Sequence, residues 1–422
     1  MSEIPGSRSR ALRARLAARE SRNVTYLADD FPVFWESASR ATVTDVDGNR
    51  YIDLTAAFGV AAVGHANPAV AAAIAEQAQR MMHGMGDVHP TEVRVQLLER
   101  LLQVAPRGLE RAFLATTGSE VVEAAMKTAI LATGKSAFAA FAGAYHGLSL
   151  GALAVCGIEK FRQPFAAALP LRPLLLGFPH AAMPLGDALD AARATLRAHD
   201  DLAALFVEPI QARGGCIVPP HGYLRGLRAV CDELGVLLVF DEIYTGFGRT
   251  GEWFACAHEG VTPDLLCLGK AMGGGFPISA LVGTSAVMDA WPASSGEALH
   301  TSTYLGNPMG CAAALATIDQ LERLGLPARA KRLGTELAPR LEAIAQTRGV
   351  AAVRGRGLMW GIELHDSAHA DRAVRAALAR GVIVLQAGTR GEVLSVTPPL
   401  VIGESELERA FSALRDAISQ SF

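Results

Sequence analysis

Between residues 111 and 268 the chain alternates short apolar runs with longer stretches whose apolar residues recur every three or four positions. The runs at 111–115, 137–141, 203–207, 236–240 and 264–268 predict strands, and the stretches at 119–132 and 221–234 predict amphipathic helices. Strands and helices alternating in this way predict an α/β architecture, a mostly parallel sheet covered on both faces. Upstream, residues 41–54 alternate apolar and polar about Asp47-Gly48, a hairpin signal, and helical patterns follow at 67–82 and 91–104. Past about residue 315 the texture changes. Helical stretches near 327–347 and 404–417 flank short strands at 358–364, 382–385 and 392–396, which predicts a smaller α+β domain. There is no internal repeat and no low-complexity tract.

Two of the predicted strands end in ionisable residues. Leu237-Leu238-Val239-Phe240 runs into Asp241-Glu242, and Leu265-Leu266-Cys267-Leu268 runs into Gly269-Lys270-Ala271-Met272-Gly273-Gly274-Gly275. Ligands of open α/β sheets sit outside the carboxyl ends of strands, where Asp241 and Lys270 both fall. A lysine in apolar surroundings has a lowered pKa, and the glycines beside it let a flat ligand approach the backbone. Such a lysine suits Schiff-base chemistry. An aspartate on a neighbouring strand can hold the proton of a pyridine nitrogen. Together they are the protein groups that pyridoxal phosphate most needs. Read singly, Lys270 could be a solvated loop residue and Asp241 a helix cap.

Composition narrows the field. The 422 residues are 50% apolar and 19% charged, as in an ordinary enzyme with a large core. A net charge of −3 argues against broad nucleic-acid binding. No apolar run approaches the ~20 residues needed to span a bilayer, so no membrane partner is expected. The cysteines at 156, 216, 231, 256, 267 and 311 are scattered in apolar context without a Cys-x-x-Cys pair. They read as reduced, buried thiols of a cytoplasmic protein, with neither a disulfide frame nor a metal site. The N-terminus carries Arg8, Arg10, Arg13, Arg15, Arg19 and Arg22 against Glu3 and Glu20. It reads as a surface helix on the body or a partner; an organelle transit peptide is the alternative.

Three further motifs follow the strands. Thr116-Thr117-Gly118-Ser119-Glu120 stands between a strand and a helix, where backbone N–H groups and small hydroxyls favour a phosphate. As a capping box, Ser119 with Val122 is incomplete. Gly134-Lys135-Ser136 is no P-loop, because position 129 is alanine where that motif needs glycine. Tyr145-His146 could stack on a flat ring or simply pack.

With Val207-Glu208-Pro209-Ile210-Gln211, these motifs stand in the order of the class III (omega-type, 4-aminobutyrate/ornithine-like) aminotransferases, fold-type I pyridoxal-phosphate enzymes. The chain resembles that family from about Val24 to Ile418. The resemblance implies three segments: 1–75 contributing to a small domain, 76–315 forming the large cofactor-binding domain, and 316–422 completing the small one. It implies that Lys270 carries pyridoxal 5′-phosphate as a Schiff base, that Asp241 pairs with the pyridine nitrogen, and that Thr117, Gly118 and Ser119 hold the phosphate. Tyr145 would then stack on the ring with His146 at its edge, and Glu208 would orient neighbouring groups. Tyr244 stands where the family commonly has a glutamine bonded to the cofactor's phenolic oxygen, and its hydroxyl could replace that bond. Thr303, in His300-Thr301-Ser302-Thr303-Tyr304, matches a threonine that reaches the partner subunit's phosphate site, which implies a homodimer with composite active sites. The implied reaction is ping-pong transfer of an amino group from an amine or amino-acid donor to a keto-acid acceptor.

The chain departs from the family at the substrate gate. Ser395 takes the place of an arginine that clamps the substrate carboxylate, and Arg213 takes that of the glutamate paired with it. Either Arg213 drifted and points to solvent, or it is itself the clamp, with Arg390 a second candidate. Phe58 and the loop Met85–His89, including His89, are candidate pocket walls. Loss of the gate is also compatible with a racemase or epimerase on the same scaffold, and a decarboxylase is a further alternative. A binding protein that has lost catalysis is the reading from another class.

Overall fold

The computed structural model describes residues 3–169 and 171–422. At its centre is a seven-stranded sheet in the spatial order Arg111–Ala115, Ser279–Gly283, Leu265–Leu268, Leu237–Asp241, Leu202–Val207, Ala137–Phe141 and Leu174–Leu176. All five strands predicted from apolar runs are present. Leu174–Leu176 is too short to show a pattern. Ser279–Gly283 comes directly after the glycine-rich turn, and it runs antiparallel to both its neighbours, so the sheet is mostly but not wholly parallel.

The sheet is buried on both sides, which is why its central strands read as unbroken apolar runs. All six residues of Leu202–Val207 are buried. On one face Val121, Val122, Ala125 and Ala129 of the helix Gly118–Thr133 join a cluster with Ala204, Phe206, Val239 and Leu265. On the other, Leu205, Leu238, Phe240 and Leu266 join the main cluster with Leu227 and Val230 of the helix Tyr223–Leu234. The 3.6-residue period of each helix thus meets the two-residue period of the strands.

Two four-stranded sheets flank this core. One combines Trp35–Ser39, the hairpin Thr42–Asp45 and Arg50–Asp53, and, in parallel with the last, Val382–Ile383. The other orders Val350–Arg356, Met359–Leu364, Val393–Val396 and Leu385–Ala387. The strand expected at 382–385 is therefore two strands, divided at Val384 between two sheets. The helix Ser367–Ala379 was hidden by its alanines, which bury a face without marking it as strongly apolar.

The arginine-rich segment forms the helix Ser7–Ala17, seated on the hairpin turn. Arg8 and Ser9 donate their N–H groups to the Asp47 carboxylate at 2.8 and 2.9 Å, and the Ser9 hydroxyl adds a third bond at 2.6 Å. All six cysteines are buried free thiols. Among the described residues no helix is long and apolar enough to cross a membrane.

Candidate active site

The strand Leu265–Leu268 ends at an extended Gly269, and the chain then turns sharply. Lys270 opens a short 3-10 turn with φ of +44°, a left-handed conformation that costs a residue with a Cβ about 1–3 kcal/mol. The lysine lines a cavity of about 400 Å³ together with Asp241, Tyr145, His146, Glu208 and the Thr117–Ser119 turn. Burial lowers the Lys270 pKa, partly countered by the charges of Asp241 and Glu208. Its Nζ lies 4.6 Å from the centre of the Tyr244 ring.

Asp241 is held from two sides. Its Oδ1 accepts the Ile243 N–H at 3.0 Å, and its Oδ2 lies 2.8 Å from His146 Nδ1. Both side chains are buried. Burial alone would lower the His146 pKa, but the Asp241 hydrogen bond and the charges of Asp241 and Glu208 outweigh it, and the net shift is upward. His146 was expected at the edge of a bound ring; its hydrogen bond to Asp241 is a role the sequence did not signal. Its other nitrogen, Nε2, is buried without a hydrogen-bond partner.

The turn at 116–120 differs from expectation in its cap. Thr117 caps the helix Gly118–Thr133 in a full capping box with Glu120, rather than Ser119 with Val122. The Glu120 carboxylate accepts the N–H groups of Thr116 and Thr117 at 2.7 and 3.0 Å, and Thr117 Oγ1 accepts that of Glu120 at 3.3 Å. The remaining first-turn donors are Gly118 and Ser119, both on the cavity wall. A side chain at Gly118 would press on Ile243, 2.9 Å from its Cβ position, and one at Gly147 would strike the Ser119 hydroxyl at 2.2 Å. These glycines keep the mouth of the helix open.

Glu208 is buried, and its oxygens accept backbone N–H groups of Tyr145 at 2.8 Å and Ala212 at 3.0 Å. Burial raises its pKa to about 7. It thus ties the Tyr145 loop to the segment carrying Arg213. The Tyr145 ring packs edge-on against Phe161 at 5.8 Å.

The Tyr244 hydroxyl has a hydrogen-bond partner within the chain. Thr397 Oγ1 donates to the Thr55 carbonyl at 3.2 Å, so the Tyr244 hydroxyl, 2.9 Å away, must give its proton to Thr397. The ring face, not the hydroxyl, is what Tyr244 presents to Lys270.

The substrate candidates separate. Arg213 lines the cavity, with Nη1 donating to the Gln386 carbonyl at 3.2 Å, so it does not simply point to solvent. Phe58 stands 65% exposed on a second compartment that also reaches Lys270. Arg390 lies outside both, its side chain exposed and 4.0 Å from Glu392. His89 and Thr303 do not line the cavity that holds Lys270, and His89 lines a separate one. Their segments meet each other, through Thr301 and Asp87 at 3.1 Å.

Comparison with known proteins identifies the family. The family model for class-III aminotransferases matches residues 25–418. An acetylornithine aminotransferase of Methanopyrus kandleri is 41% identical over 391 residues, covering 93% of this chain and 95% of that protein. An amine transaminase from an uncultivated Pseudomonas species, solved with pyridoxal phosphate bound, superposes with a TM-score of 0.88 at 29% identity, covering 96% of this chain and 99% of its own. A transaminase from the marine bacterium Virgibacillus gives 0.90 at 26% identity, covering 98% and 99%. These relatives transfer amino groups, and nothing in them favours the racemase, epimerase or decarboxylase alternatives. With the match running through both flanking sheets as well as the core, this chain belongs to the class III aminotransferases, enzymes that move amino groups on pyridoxal 5′-phosphate.

Proposed function

We propose that Lys270 both bonds the cofactor and moves the substrate proton, in ping-pong transfer between an amine or amino acid and a keto acid. The observation that carries this reading is one cavity lined by a half-buried lysine, a buried carboxylate and the open N-terminus of a helix. When bound, the cofactor supplies an electron-accepting ring that spreads the charge left on the substrate carbon. The chain's own residues do the rest. Gly118 and Ser119 bind the phosphate with N–H groups at the positive end of a 16-residue helix, with Thr117 beside them. Asp241, oriented by His146 and Ile243, keeps the pyridine nitrogen protonated. Tyr145 offers the ring an aromatic face, and Glu208 holds the Tyr145 loop in place. Lys270, once free, carries the proton, and its lowered pKa supplies more of the neutral amine that can accept it.

Arg213 is proposed as the carboxylate clamp in place of the missing gate. Its guanidinium is partly desolvated, and burial lowers its pKa against the charges of Tyr145, Glu392 and Tyr244. The test is a half-reaction: holoenzyme mixed with amino donors and no keto acid should lose its cofactor absorbance and regain it when a keto acid is added. In Arg213→Met the return step should need about tenfold more keto acid with little change in limiting rate, as expected for lost binding. If absorbance persists while an amino acid loses optical purity, racemisation replaces this reading.

A homodimer is proposed for the face where His89 and Thr303 meet. Met82, Met85, Val88, Leu299 and Tyr304 are each 56–70% exposed there, more apolar surface than a lone subunit usually shows. Sedimentation equilibrium should return twice the chain mass; a monomer would remove Thr303 from any phosphate site. The reduced thiols support a cytoplasmic setting. The division at about residues 75 and 315 is retained as the proposed domain plan.

A further inference from the structure

Lys270 Nζ lies over the face of the Tyr244 ring, 4.6 Å from its centre. That is inside the ~6 Å within which the electron-rich face of an aromatic ring attracts an ammonium. Among the described residues Nζ has neither a hydrogen bond nor an ion pair. Tyr244 stands where the family commonly has glutamine, whose amide offers no such face, so the contact is a feature of this chain.

Three remote segments hold the ring in place. Tyr244 follows Asp241 by three residues, in the turn after the strand Leu237–Asp241. Its hydroxyl meets Thr397 Oγ1 at 2.9 Å, just past the strand Val393–Val396, and Thr397 bonds the Thr55 carbonyl at 3.2 Å. Gly59, with φ of +83°, packs so closely that a Cβ there would stand 3.3 Å from Tyr244 Cε1. Glycine accepts both that backbone and that approach.

The charged and titratable groups around Nζ are few. Asp241, Glu208, Tyr145, His146 and Arg213 share its cavity. On the other side stand Tyr26, Asp371 and Arg375, of which Arg375 Nε donates to Asp371 at 2.8 Å. Burial lowers the Lys270 pKa, and the charges of Asp241 and Glu208 offset that only in part. Asp241 is engaged by His146 and Ile243, and Glu208 by the backbone of Tyr145 and Ala212. A carboxylate in contact with Nζ would keep the lysine charged and unable to bond the cofactor, whereas bare apolar walls would leave it too weak a base. A ring face favours the ammonium over the neutral amine by an intermediate amount.

We propose that Tyr244 is a catalytic group whose ring face receives the Lys270 ammonium while the lysine is off the cofactor. The assignment rests on the aminotransfer reading and adds to it the place where the lysine waits with the proton. Nζ takes the proton from the substrate carbon, the electron pair staying behind, and becomes the ammonium. It then gives the same proton up and is neutral again. Nothing is oxidised or reduced at the lysine, and the ring forms no bond.

The experiment is the pH profile of pyridoxal 5′-phosphate capture by apoenzyme, read from the absorbance of the lysine-bound form, in the wild type, Tyr244→Phe and Tyr244→Leu. Tyr244→Leu should lower the pH of half-capture by about half to one unit, a hold on the proton about threefold to tenfold weaker. Tyr244→Phe keeps the face and should stay within about 0.3 unit of the wild type. A rise in Tyr244→Leu overturns the proposal, because a ring that merely kept water from the amine would raise the midpoint on removal. An unchanged midpoint overturns it too, as does an equal fall in Tyr244→Phe. Full capture at high pH shows that Tyr244→Leu is folded; if it is not, Tyr244→Met carries the same expectation. In the half-reaction Tyr244→Leu should lower the limiting rate about tenfold at near-normal donor saturation, and an unchanged limiting rate would sink the catalytic role. Failure of every donor to discharge the wild-type cofactor would overturn aminotransfer itself, whereas the capture midpoints test the ring whatever the donor does.

Discussion

Lys270→Ala is expected to reduce the turnover number by at least about 10⁴-fold, the scale on which loss of a covalent nucleophile that also serves as the base is felt. The cavity offers no second amine beside it. The other lining cation, Arg213, is a guanidinium that stays charged and cannot form the bond. Cofactor should still bind to the variant through the helix N-terminus, but should wash out on dialysis, with its absorbance that of the free aldehyde. Since Lys270 sits in a strained left-handed turn, replacement should not unfold the chain, and circular dichroism would check that. The wild type gives a companion result. Only the neutral amine bonds the cofactor, and burial holds the Lys270 pKa below its ordinary 10.5. Capture of added cofactor by apoenzyme should therefore rise with pH to half its maximum below 10.5. A midpoint at or above 10.5 would place the lysine in water.

Asp241→Asn is expected to cost about 10³-fold in turnover while leaving a coloured, covalently loaded enzyme. An amide cannot supply the negative charge that holds a proton on the pyridine nitrogen, so the electron sink weakens although the lysine bond still forms. The same change leaves His146 facing an amide in a buried site, which removes the interaction that raises its pKa. The substitution is nearly isosteric, and Ile243 can still donate to the remaining oxygen. Stopped-flow measurement should thus show a slow half-reaction with near-normal donor saturation. An unchanged rate would sink the assignment of Asp241.

The strand ends that carry both residues were legible because apolar runs of four or five residues, buried on both sides, leave a strong mark in a sequence. Asp241 and Lys270 stand out as the ionisable residues at the carboxyl ends of such runs. His146 as a support for Asp241 does not, because the pair joins a loop to the end of a strand that is not its sequence neighbour, and the two come together only through the sheet order. Tyr244 shows a different limit. Its identity allowed a hydroxyl bond to the cofactor, and nothing near it in the sequence signals that the hydroxyl also meets the distant Thr397, bonded in turn to Thr55. Thr117 was within reach, since Glu120 stands at capping-box spacing from it; reading the box from Ser119 missed it by two positions. Whatever depended on one side chain's second neighbour, or on contacts between remote segments, left no local trace.

The division of the 382–387 region between two sheets has a consequence for biogenesis. Ile52 is paired with Val382, so the hairpin formed early in synthesis lacks its fourth strand until that residue has left the ribosome. The seven-stranded core needs nothing beyond Gly283 to close its hydrogen bonding, and it can be assembled while the tail is still being made. The hairpin and Phe58, on the early side of that gap, must wait in an unfinished state. During translation this protein is therefore expected to pass through an interval in which Lys270 already follows a completed sheet and the N-terminal hairpin still lacks its fourth strand, which makes the nascent N-terminal segment the part most in need of chaperone protection.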